Sequence, residues 1–466
     1  MKVKKIILIE PKTPGVSFFN YTKMPLLGLP ILGTIANKMG IDTKIFCENI
    51  SSINWNEIKK ADLIGITVLT SLAPRAYQLA KKIKNINSFC KVIMGGPHVS
   101  FLPAEALENG ADFVVRKEGE RTFKKLINGL KKETNLKNIK GLSFKENNKI
   151  HHTPDREDFS NIDRLPTPDF TLVKGYEKLE YIPLQTSRGC PHNCEFCSVV
   201  QMFGNKIRYR TPDKVIKDLN NINNLFNLND KHVFIVDDNF SANKKRTINL
   251  LKRLNELDYD FEWSTQEEVN IYKKKEVLNL MKKTGCERLY IGIESFNDNS
   301  LKEYNKPQNI SDIKKAIEII HKKDILIHGM FVLGADSDNE NTIMKTAKNT
   351  VENNIDTAQF SVLVPLPGTR FYKKIIKEGR LLADKGKSWK LFAGNHVVFQ
   401  PKNLTPYELQ TLQLKALKKF YNIKNSFYWL TKRKYKNFIT NIYGRWIIRE
   451  WKNNNKSFIE NLRNFK

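Results

Sequence analysis

Three cysteines stand close together in the stretch TSRGCPHNCEFC, which runs from Thr186 to Cys197. They are Cys190, Cys194 and Cys197, and the whole chain has only six cysteines. Cysteine thiolates hold iron–sulfur clusters, and a four-iron cubane normally takes four of them. Because no fourth cysteine lies nearby, this spacing predicts a cluster with one iron left open to another ligand.

Two other interpretations of these cysteines stay open at this point. A structural zinc site prefers four ligands, and His192 would be the fourth, but its position between the first two cysteines fits finger spacing poorly. The three residues could instead be unrelated core thiols, which is what we expect for Cys47, Cys90 and Cys286 in or beside apolar segments. We favour the cluster over both.

The first 145 residues alternate apolar strand patterns with amphipathic helix patterns five times. This alternation predicts an α/β unit with a doubly wound, Rossmann-like parallel sheet, in which ligands bind beyond the carboxyl ends of the strands. Three loops expected at that edge carry small or permissive residues: 67–75, 95–103 and 117–120. One such loop alone would be a tight turn, but three on one edge indicate a ligand site.

Residues 181–385 hold six further strand–helix repeats. They predict a full or partial βα (TIM-like) barrel, whose chemistry sits at the carboxyl ends of its strands. The cysteine loop follows the first of these strands. Residues 146–180 are polar and punctuated by proline, and they predict a linker between the two units.

The last segment, 386–466, predicts a basic, mainly helical extension. After Leu414 it has 14 Lys or Arg and two Glu, a net charge of +12, with aromatic residues interleaved. Such a segment can bind an anionic membrane surface or an RNA backbone. An ordinary packing element with solvated lysines is the favoured interpretation, and nucleic acid is the least favoured partner. The charge of +29 on the whole chain is attributed first to compositional drift.

The chain begins without a secretory signal pattern, and no apolar run approaches the roughly 20 residues of a membrane span. We therefore expect a cytoplasmic protein with reduced thiols. The basic extension adds the expectation of a peripheral contact at the inner membrane face.

The stretch CPHNCEFC matches the CxxxCxxC signature of radical S-adenosylmethionine enzymes, including the aromatic Phe196 before the last cysteine. The resemblance implies that Cys190, Cys194 and Cys197 bind three irons of a [4Fe–4S] cluster, while S-adenosylmethionine chelates the fourth. It also implies an electron donor such as flavodoxin or ferredoxin, whose electron cleaves the sulfonium to a 5′-deoxyadenosyl radical. In such enzymes the protein supplies position and shielding.

Other motifs extend this resemblance along the barrel. The segment VDDNF implies cofactor contacts by Asp237 and Asp238, and YIGIES implies that Glu294 and Ser295 face the ribose or the methionine end. The segment VPLPGT, residues 364–369, resembles the sixth-strand turn near adenine.

One position departs from the pattern of the family. Related sequences often carry an arginine shortly after the glutamine of the third strand, whereas this chain has Glu267 and Glu268 there. The usual contact to the methionine carboxylate is then missing, and Arg208 and Arg210 are the candidates to replace it.

The front unit resembles the cobalamin-binding domain that precedes the radical domain in one large subclass, since TVLTSLAPRAY, GGPHVSFLPAEAL and EGE match it in order. The resemblance implies that the nucleotide tail of cobalamin runs along loops 67–75 and 95–103. The implied contacts are Thr67, Thr70, Gly95, Gly96 and His98.

The motif DxHxxG of mutase-type cobalamin domains is absent, because the first loop reads EPKTPGVSFF. A cobalt-ligating histidine from that position is excluded. His98 is the nearest histidine, and a hydrogen-bonding role is favoured for it over cobalt ligation.

The predicted function is a cobalamin-dependent radical enzyme that methylates an unactivated carbon of an unknown small-molecule or lipid substrate. A radical cyclase or oxidase with the same cofactors is the first alternative, and a non-catalytic cofactor sensor is the second. Methylthiolation is discounted because that class has three extra front-domain cysteines and only Cys47 and Cys90 are available. The pattern identifies no catalytic side chain beyond the cofactor ligands.

Overall fold

The computed structural model describes residues 2–15, 22–156, 161–382, 388–432 and 434–465. It confirms the predicted α/β class, with a front sheet, a six-stranded partial barrel and a helical carboxyl-terminal region. Each of the two sheets has its own buried apolar layers, because parallel strands are covered by helices on both faces.

The front sheet has seven strands in the order β2-β1-β3-β4-β5-β6-β7. The first five pair in parallel, and β6 and β7 add an antiparallel hairpin. The strands are β1 Lys5–Glu10, β2 Asp42–Cys47, β3 Leu63–Thr67, β4 Lys91–Gly95, β5 Phe113–Val115, β6 Leu142–Glu146 and β7 Lys149–His152. The helices are α1 Gly28–Asn37, α2 Trp55–Lys59, α3 Ala73–Ile86, α4 Pro97–Phe101, α5 Pro103–Glu108 and α6 Gly119–Lys132.

The predicted boundary at residue 145 falls inside β6, so the hairpin belongs to the front sheet rather than to the segment 146–180. Hydrogen bonding to the edge of β5 continues the sheet to His152. This antiparallel addition left no trace in the strand–helix alternation, because a hairpin needs no intervening helix. We propose that the front domain ends after β7.

The barrel sheet has the strand order β15-β14-β13-β12-β11-β8, and a small ribbon, β9 with β10, lies beside it. The strands are β8 Tyr181–Leu184, β9 Ser187–Arg188, β10 Arg208–Tyr209, β11 His232–Ile235, β12 Glu262–Glu267, β13 Cys286–Glu294, β14 Leu326–Leu333 and β15 Thr357–Val362. The helices are α7 Val199–Phe203, α8 Pro212–Phe226, α9 Lys244–Leu254, α10 Lys275–Lys283, α11 Asp298–Glu303, α12 Ile310–His321, α13 Glu340–Glu352 and α14 Arg370–Lys377.

The carboxyl-terminal helices are α15 Pro406–Phe420, α16 Ile423–Thr431, α17 Tyr435–Asn454 and α18 Lys456–Asn461. Helix α15 packs against β15 and α13, and α16 packs along α17. Across the part of the chain that the structure describes, none of the helices has the length and apolarity needed to cross a bilayer.

One buried carboxylate joins these helices to the barrel. Asp356, directly before β15, accepts hydrogen bonds from the Ile327 amide at 2.9 Å and from Nδ2 of Asn437 at 2.8 Å. It also lies 2.9 Å from Nε2 of His321 and 3.1 Å from Nζ of Lys434. Burial would raise the pKa of Asp356, but the hydrogen bond from His321 and the Lys434 charge lower it. Two strands and two helices therefore depend on one ionised group.

We expect Asp356→Ala to lower the free energy of unfolding by about 3 kcal/mol, because the buried Ile327 amide and Asn437 side chain lose their acceptor and the contacts with His321 and Lys434 are broken. Denaturant unfolding of the apoprotein followed by circular dichroism measures the change. Asp213→Ala is the matched control, since Asp213 forms an exposed pair with Arg253 and such pairs contribute about 1 kcal/mol or less. Equal losses in the two variants would contradict the role of Asp356.

Candidate active site at two facing sheet edges

The cysteine loop leaves the barrel after β8 and β9, at the carboxyl end of the sheet. Gly189 directly precedes Cys190 with φ +97°, and a Cβ there would lie 3.0 Å from the carbonyl oxygen of Lys206. Only glycine fits this turn without strain. The cysteines Cys190, Cys194 and Cys197 are free and half-buried, and the Cys197 amide bonds the carbonyl of Cys194 at 3.3 Å.

The three thiols lie near enough to act on one another electrostatically, since, besides burial, Cys190 and Cys194 both raise the pKa of Cys197. Burial raises the pKa of Cys190 to about 11 and that of Cys197 to about 12, so cluster assembly must release protons. Phe196 stacks edge-on against Tyr304 with ring centres 5.4 Å apart, which anchors the loop to the barrel. Three free thiols on one loop, with no fourth protein thiol among them, fit a cubane that keeps one iron open.

The two aspartates of VDDNF have different environments. Asp237 is fully buried and accepts hydrogen bonds from the amides and hydroxyls of Thr186 and Ser187, the amides at 2.7 and 2.9 Å. Its carboxylate therefore shapes the strand end that leads into the cysteine loop. Asp238 lies beside the Gly189 amide and acts on Cys190, and burial raises its pKa to about 6. The charge of Asp238 also acts on Cys197, and contacts of Asp237 and Asp238 with a cofactor stay predictions.

Glu294 and Lys306 place a buried ion pair beside the cysteines. Glu294 ends β13 at a register shift, with φ +62°, and its Oε1 lies 2.8 Å from Nζ of Lys306. A Cβ on Gly292 would come within 3.0 Å of that ammonium, so glycine leaves room for the pair. Burial would lower the pKa of Lys306, but Glu294 and Cys194 raise it above its ordinary value. A fixed positive charge therefore borders the cluster position.

Ser295 is buried next to this pair. Its hydroxyl lies 3.3 Å from that of Thr346 and accepts from the Asn297 amide at 3.2 Å. These contacts hold the turn after β13. A contact of Ser295 with S-adenosylmethionine stays a prediction.

At the end of the third barrel strand, where related sequences often carry an arginine, this chain has a glutamate that contacts the cysteine loop. Glu268 lies 2.7 Å from Nε2 of His192, and Glu267 accepts from the amide and hydroxyl of Ser241 at 2.7 and 2.9 Å. Burial raises the pKa of Glu267 to about 7. Burial would also raise the pKa of Glu268, but His192 and Lys274 lower it. His192 therefore anchors the loop, with its Nε2 engaged by Glu268.

The two arginines expected to replace the missing one are engaged elsewhere. Arg210 is buried against Asp218 at 2.9 Å, and Arg208 reaches Glu118 of the front sheet at 2.5 Å. A contact of either arginine with the methionine carboxylate stays a prediction, and Lys306 is a further candidate for it because its charge acts on Cys194. No motif in the sequence distinguishes Lys306 from the other basic residues of the chain, which has 78 Lys and Arg in total.

The predicted cobalamin residues gather at the carboxyl edge of the front sheet. Thr67 ends β3 and is half-buried, Thr70 follows it, and Leu69 between them is 36 % exposed. Gly95 ends β4, and Gly96 has φ +108° with a virtual Cβ only 2.8 Å from the Val68 carbonyl oxygen. This edge offers hydroxyls, an exposed apolar side chain and a close backbone, which fit a corrin and its nucleotide tail.

His98 is the exception within this group, because it is completely buried. Its Nε2 lies 3.1 Å from the Tyr77 hydroxyl, and its ring meets Trp389 edge-on at 5.0 Å. Nδ1 has no hydrogen-bond partner among the described residues. The ring packs between the two halves of the chain, and a contact with cobalamin stays a prediction.

The front-sheet edge lies directly against the barrel edge. Arg188 of β9 pairs with Glu120 at 2.8 Å and Glu118 at 3.5 Å, and all three are buried. Burial would lower the pKa of Arg188 and raise that of Glu120, but their mutual attraction reverses both shifts. The ion pair thus ties the 117–120 loop to the residue two places before Cys190.

Two apolar contacts repeat this connection. A Cβ on Gly368 of VPLPGT would lie 2.5 Å from the Phe101 ring, so the front sheet packs flush on that turn. Trp389, beyond the barrel, donates its indole hydrogen to Glu105 at 2.8 Å and joins the front-sheet core. The cluster loop and the cobalamin edge consequently face each other across one cleft.

The known families that match divide the chain at the same place. Residues 184–349 match the radical SAM superfamily, and residues 27–127 match the B12 binding domain. The chain is 34 % identical to an uncharacterised methyltransferase of Pyrococcus horikoshii over 90 % of this chain and 93 % of that protein. It therefore belongs to the radical S-adenosylmethionine enzymes that carry a cobalamin-binding domain. Its cofactors are a [4Fe–4S] cluster, S-adenosylmethionine and cobalamin.

More distant relatives have narrower names. A bacteriochlorophyllide d C-12(1)-methyltransferase of Chlorobaculum tepidum is 27 % identical over 86 % of this chain and 84 % of that protein. The fold matches the cobalamin-dependent enzyme OxsB with a TM-score of 0.72 at 16 % identity, over 94 % of this chain and 72 % of OxsB. It matches the methyltransferase TsrM of Kitasatospora setae with a TM-score of 0.69 at 14 % identity, over 83 % of this chain and 77 % of TsrM.

We expect Lys306→Met to weaken binding of S-adenosylmethionine by about tenfold or more, because a buried cation facing an anionic cofactor group is lost. Equilibrium binding to the anaerobically reconstituted protein, with iron quantified in the same sample, measures the change. Lys306→Arg keeps the charge and should retain most of the affinity. Lys302→Met, an exposed lysine one turn away, is the control. Unchanged affinity in Lys306→Met at full iron content would refute this role.

Proposed function

We propose that this enzyme methylates an unactivated carbon of a small-molecule or lipid substrate. The observation that carries the proposal is the buried pair of Arg188 with Glu120, since it holds the cobalamin edge against the cluster loop. Two cofactors that must act on one substrate atom in succession need such facing sites. The family supplies the reaction type, and similarity to relatives named methyltransferases favours methylation.

When bound, the cluster and S-adenosylmethionine supply a radical that removes hydrogen, and cobalamin supplies the methyl group. The chain's own residues position these groups. Cys190, Cys194 and Cys197 would hold the cluster, and Lys306 would face the methionine carboxylate. Phe101, packed on the VPLPGT turn, helps to exclude water from the cleft.

The barrel interior below the cluster is the proposed substrate site. Phe234 on β11, Tyr290 on β13 and His328 on β14 point inward, with successive ring centres 5.4 and 4.8 Å apart. Burial and the nearby Arg288 lower the pKa of His328 to about 3, so its imidazole is neutral at physiological pH. The aromatic rings suit a largely apolar substrate portion, and Arg288 adds one positive charge beside them. The neutral imidazole is no strong base, which is consistent with hydrogen removal by a radical.

We expect anaerobic reduction of the loaded enzyme to release both 5′-deoxyadenosine and S-adenosylhomocysteine, because radical formation and methyl supply each consume one S-adenosylmethionine. Mass spectrometry of the small-molecule fraction measures the two products. Cys194→Ala should abolish 5′-deoxyadenosine, whereas Cys90→Ala, which alters a buried core thiol, should not. Deoxyadenosine without S-adenosylhomocysteine would favour a cyclase, the activity named for relatives of Rubrivivax gelatinosus and Cereibacter sphaeroides. If neither product is detected, the result would favour a non-catalytic sensor.

We expect Arg188→Gln to reduce S-adenosylhomocysteine formation more than 5′-deoxyadenosine formation, by about tenfold in their ratio. Removing one partner of a buried pair costs about 3–5 kcal/mol, and the loosened edge carries cobalamin. Iron and cobalamin are quantified together with the products. The control is Arg253→Gln, which breaks an exposed pair. A parallel fall of both products at full cofactor content would show that the ion pair does not couple the two sites.

We further propose that a small flavodoxin or ferredoxin supplies the electron at the cysteine loop. Pro191, Asn193 and Lys206 are exposed there, so a donor can approach the cluster position closely. We also propose a cytoplasmic enzyme whose basic carboxyl-terminal region contacts the inner membrane face. The charge of that region supports this location.

A further inference from the structure

The first half of helix α17 has an inverted distribution of polar and apolar side chains, whereas its second half buries Ile448 and Trp451. Its inner face buries Asn437 and Asn441, while Tyr435, Ile439 and Ile442 on its outer face are exposed to solvent. These outer positions follow the spacing i, i+4, i+7 of one helical stripe. A helix that exposes isoleucine and buries asparagine is arranged for an apolar surface outside the protein.

Helix α16 presents a second stripe of the same kind. Ile423, Phe427 and Leu430 are exposed at the same spacing, while Trp429 is buried. The hydroxyl of Ser426 on α16 lies 2.9 Å from Oδ1 of Asn441 and joins the two helices into one hairpin. The exposed fractions of the six stripe residues lie between 37 % and 65 %. An apolar surface of this extent marks an interaction site.

The charges around these stripes select an anionic partner. Between residues 423 and 452 the chain has eight Lys or Arg and a single acid, Glu450. Lys434 and Lys436 are taken up by Asp356 and by Glu262 and Glu287 of the barrel. Exposed cations remain outside these pairs, at Lys424, Lys432, Arg445, Arg449 and Lys452. A second copy of this surface would bring like charges together, so self-association is disfavoured.

The hairpin lies at the end of the barrel opposite the cysteine loop. Glu262 begins β12, Glu287 lies at the start of β13, and Asp356 directly precedes β15. Lys434, directly before α17, and Lys436 in its first turn reach these acids and therefore hold the hairpin at the amino ends of the strands. A flat surface bound there leaves the cleft and the electron-entry loop open to water.

We propose that the α16–α17 hairpin is a docking surface for an anionic lipid bilayer, with its apolar stripes in the acyl boundary and its cations at the phosphates. The inference specifies the peripheral contact proposed above, and it is independent of methyl transfer. Amphipathic helices of this composition bind in the plane of the interface. Each basic side chain near the headgroups strengthens binding to anionic lipid.

Co-sedimentation of the full-length holoenzyme with vesicles tests the proposal. We expect binding to vesicles of phosphatidylcholine with about one-third phosphatidylglycerol, and much weaker binding to phosphatidylcholine alone. Raising the salt from about 0.1 to 1 M should weaken binding severalfold, since the Debye length falls from about 10 to 3 Å. No binding to either vesicle would overturn both the docking surface and the proposed membrane contact.

Matched variants identify the surface. Phe427→Gln with Ile439→Gln should lower the bound fraction about tenfold, because each removes an apolar side chain from the interface. Phe89→Gln is the control, since Phe89 is an equally apolar and highly exposed residue of the front unit. Arg445→Gln with Arg449→Gln should weaken binding to the anionic vesicles only.

Three outcomes would overturn the assignment of this surface. The first is equal vesicle binding by the Phe427/Ile439 variant and the Phe89 variant. The second is loss of binding in the arginine variant only. The third is a dimer of the unchanged protein that the Phe427/Ile439 substitutions dissociate. The 5′-deoxyadenosine assay on the same samples keeps this test separate from the proposed function. Full activity with no vesicle binding would reject the docking surface and the membrane contact but leave the proposed reaction standing.

Discussion

Arg188 stands two residues before the first cysteine of the cluster loop, and its guanidinium is buried against a carboxylate from the other half of the chain. A buried ion pair is costly to break because each charge has given up its water. The pair therefore fixes the distance between two sheet edges that carry different cofactor sites. The packing of Phe101 on Gly368 and of Trp389 on the front sheet depends on the same registration. The cleft exists because all of these contacts hold the two sheet edges in the same relative position.

The surroundings of the cysteines follow a second electrostatic constraint. The carboxylate of Asp237 accepts its hydrogen bonds from the end of the strand. Glu294 and Lys306 form an ion pair at a β-bulge, where Gly292 leaves room for the ammonium. His192 and Glu268 hold the middle of the loop from the neighbouring strand. Positioning is thus assigned to residues that do not ligate the metal, which leaves the three thiols free for iron.

Local pattern predicted the parts of this molecule that are repeated or contiguous. The parallel strands, the cysteine loop and the front-sheet loops are each visible within a few residues, because strand periodicity and ligand spacing are local properties. The pair of Lys306 with Glu294, the pair of His192 with Glu268 and the contacts of Asp356 join residues between 12 and 81 positions apart, and no spacing rule connects them. The β6–β7 hairpin was not predicted for another reason: an antiparallel hairpin interrupts the strand–helix alternation from which the sheet was predicted.

The six-stranded sheet does not close, and β8 and β15 are its two edge strands. The front sheet covers the upper rim of the barrel, and the carboxyl-terminal helices cover its floor. The open side between β8 and β15 is the remaining gap in this wall, and the Tyr421 hydroxyl covers part of it by bonding the Ala358 amide and carbonyl. A molecule longer than the lumen can therefore thread one end to the reacting carbon while its remainder stays outside. Selectivity would then concern the shape of that end and not the size of the whole molecule.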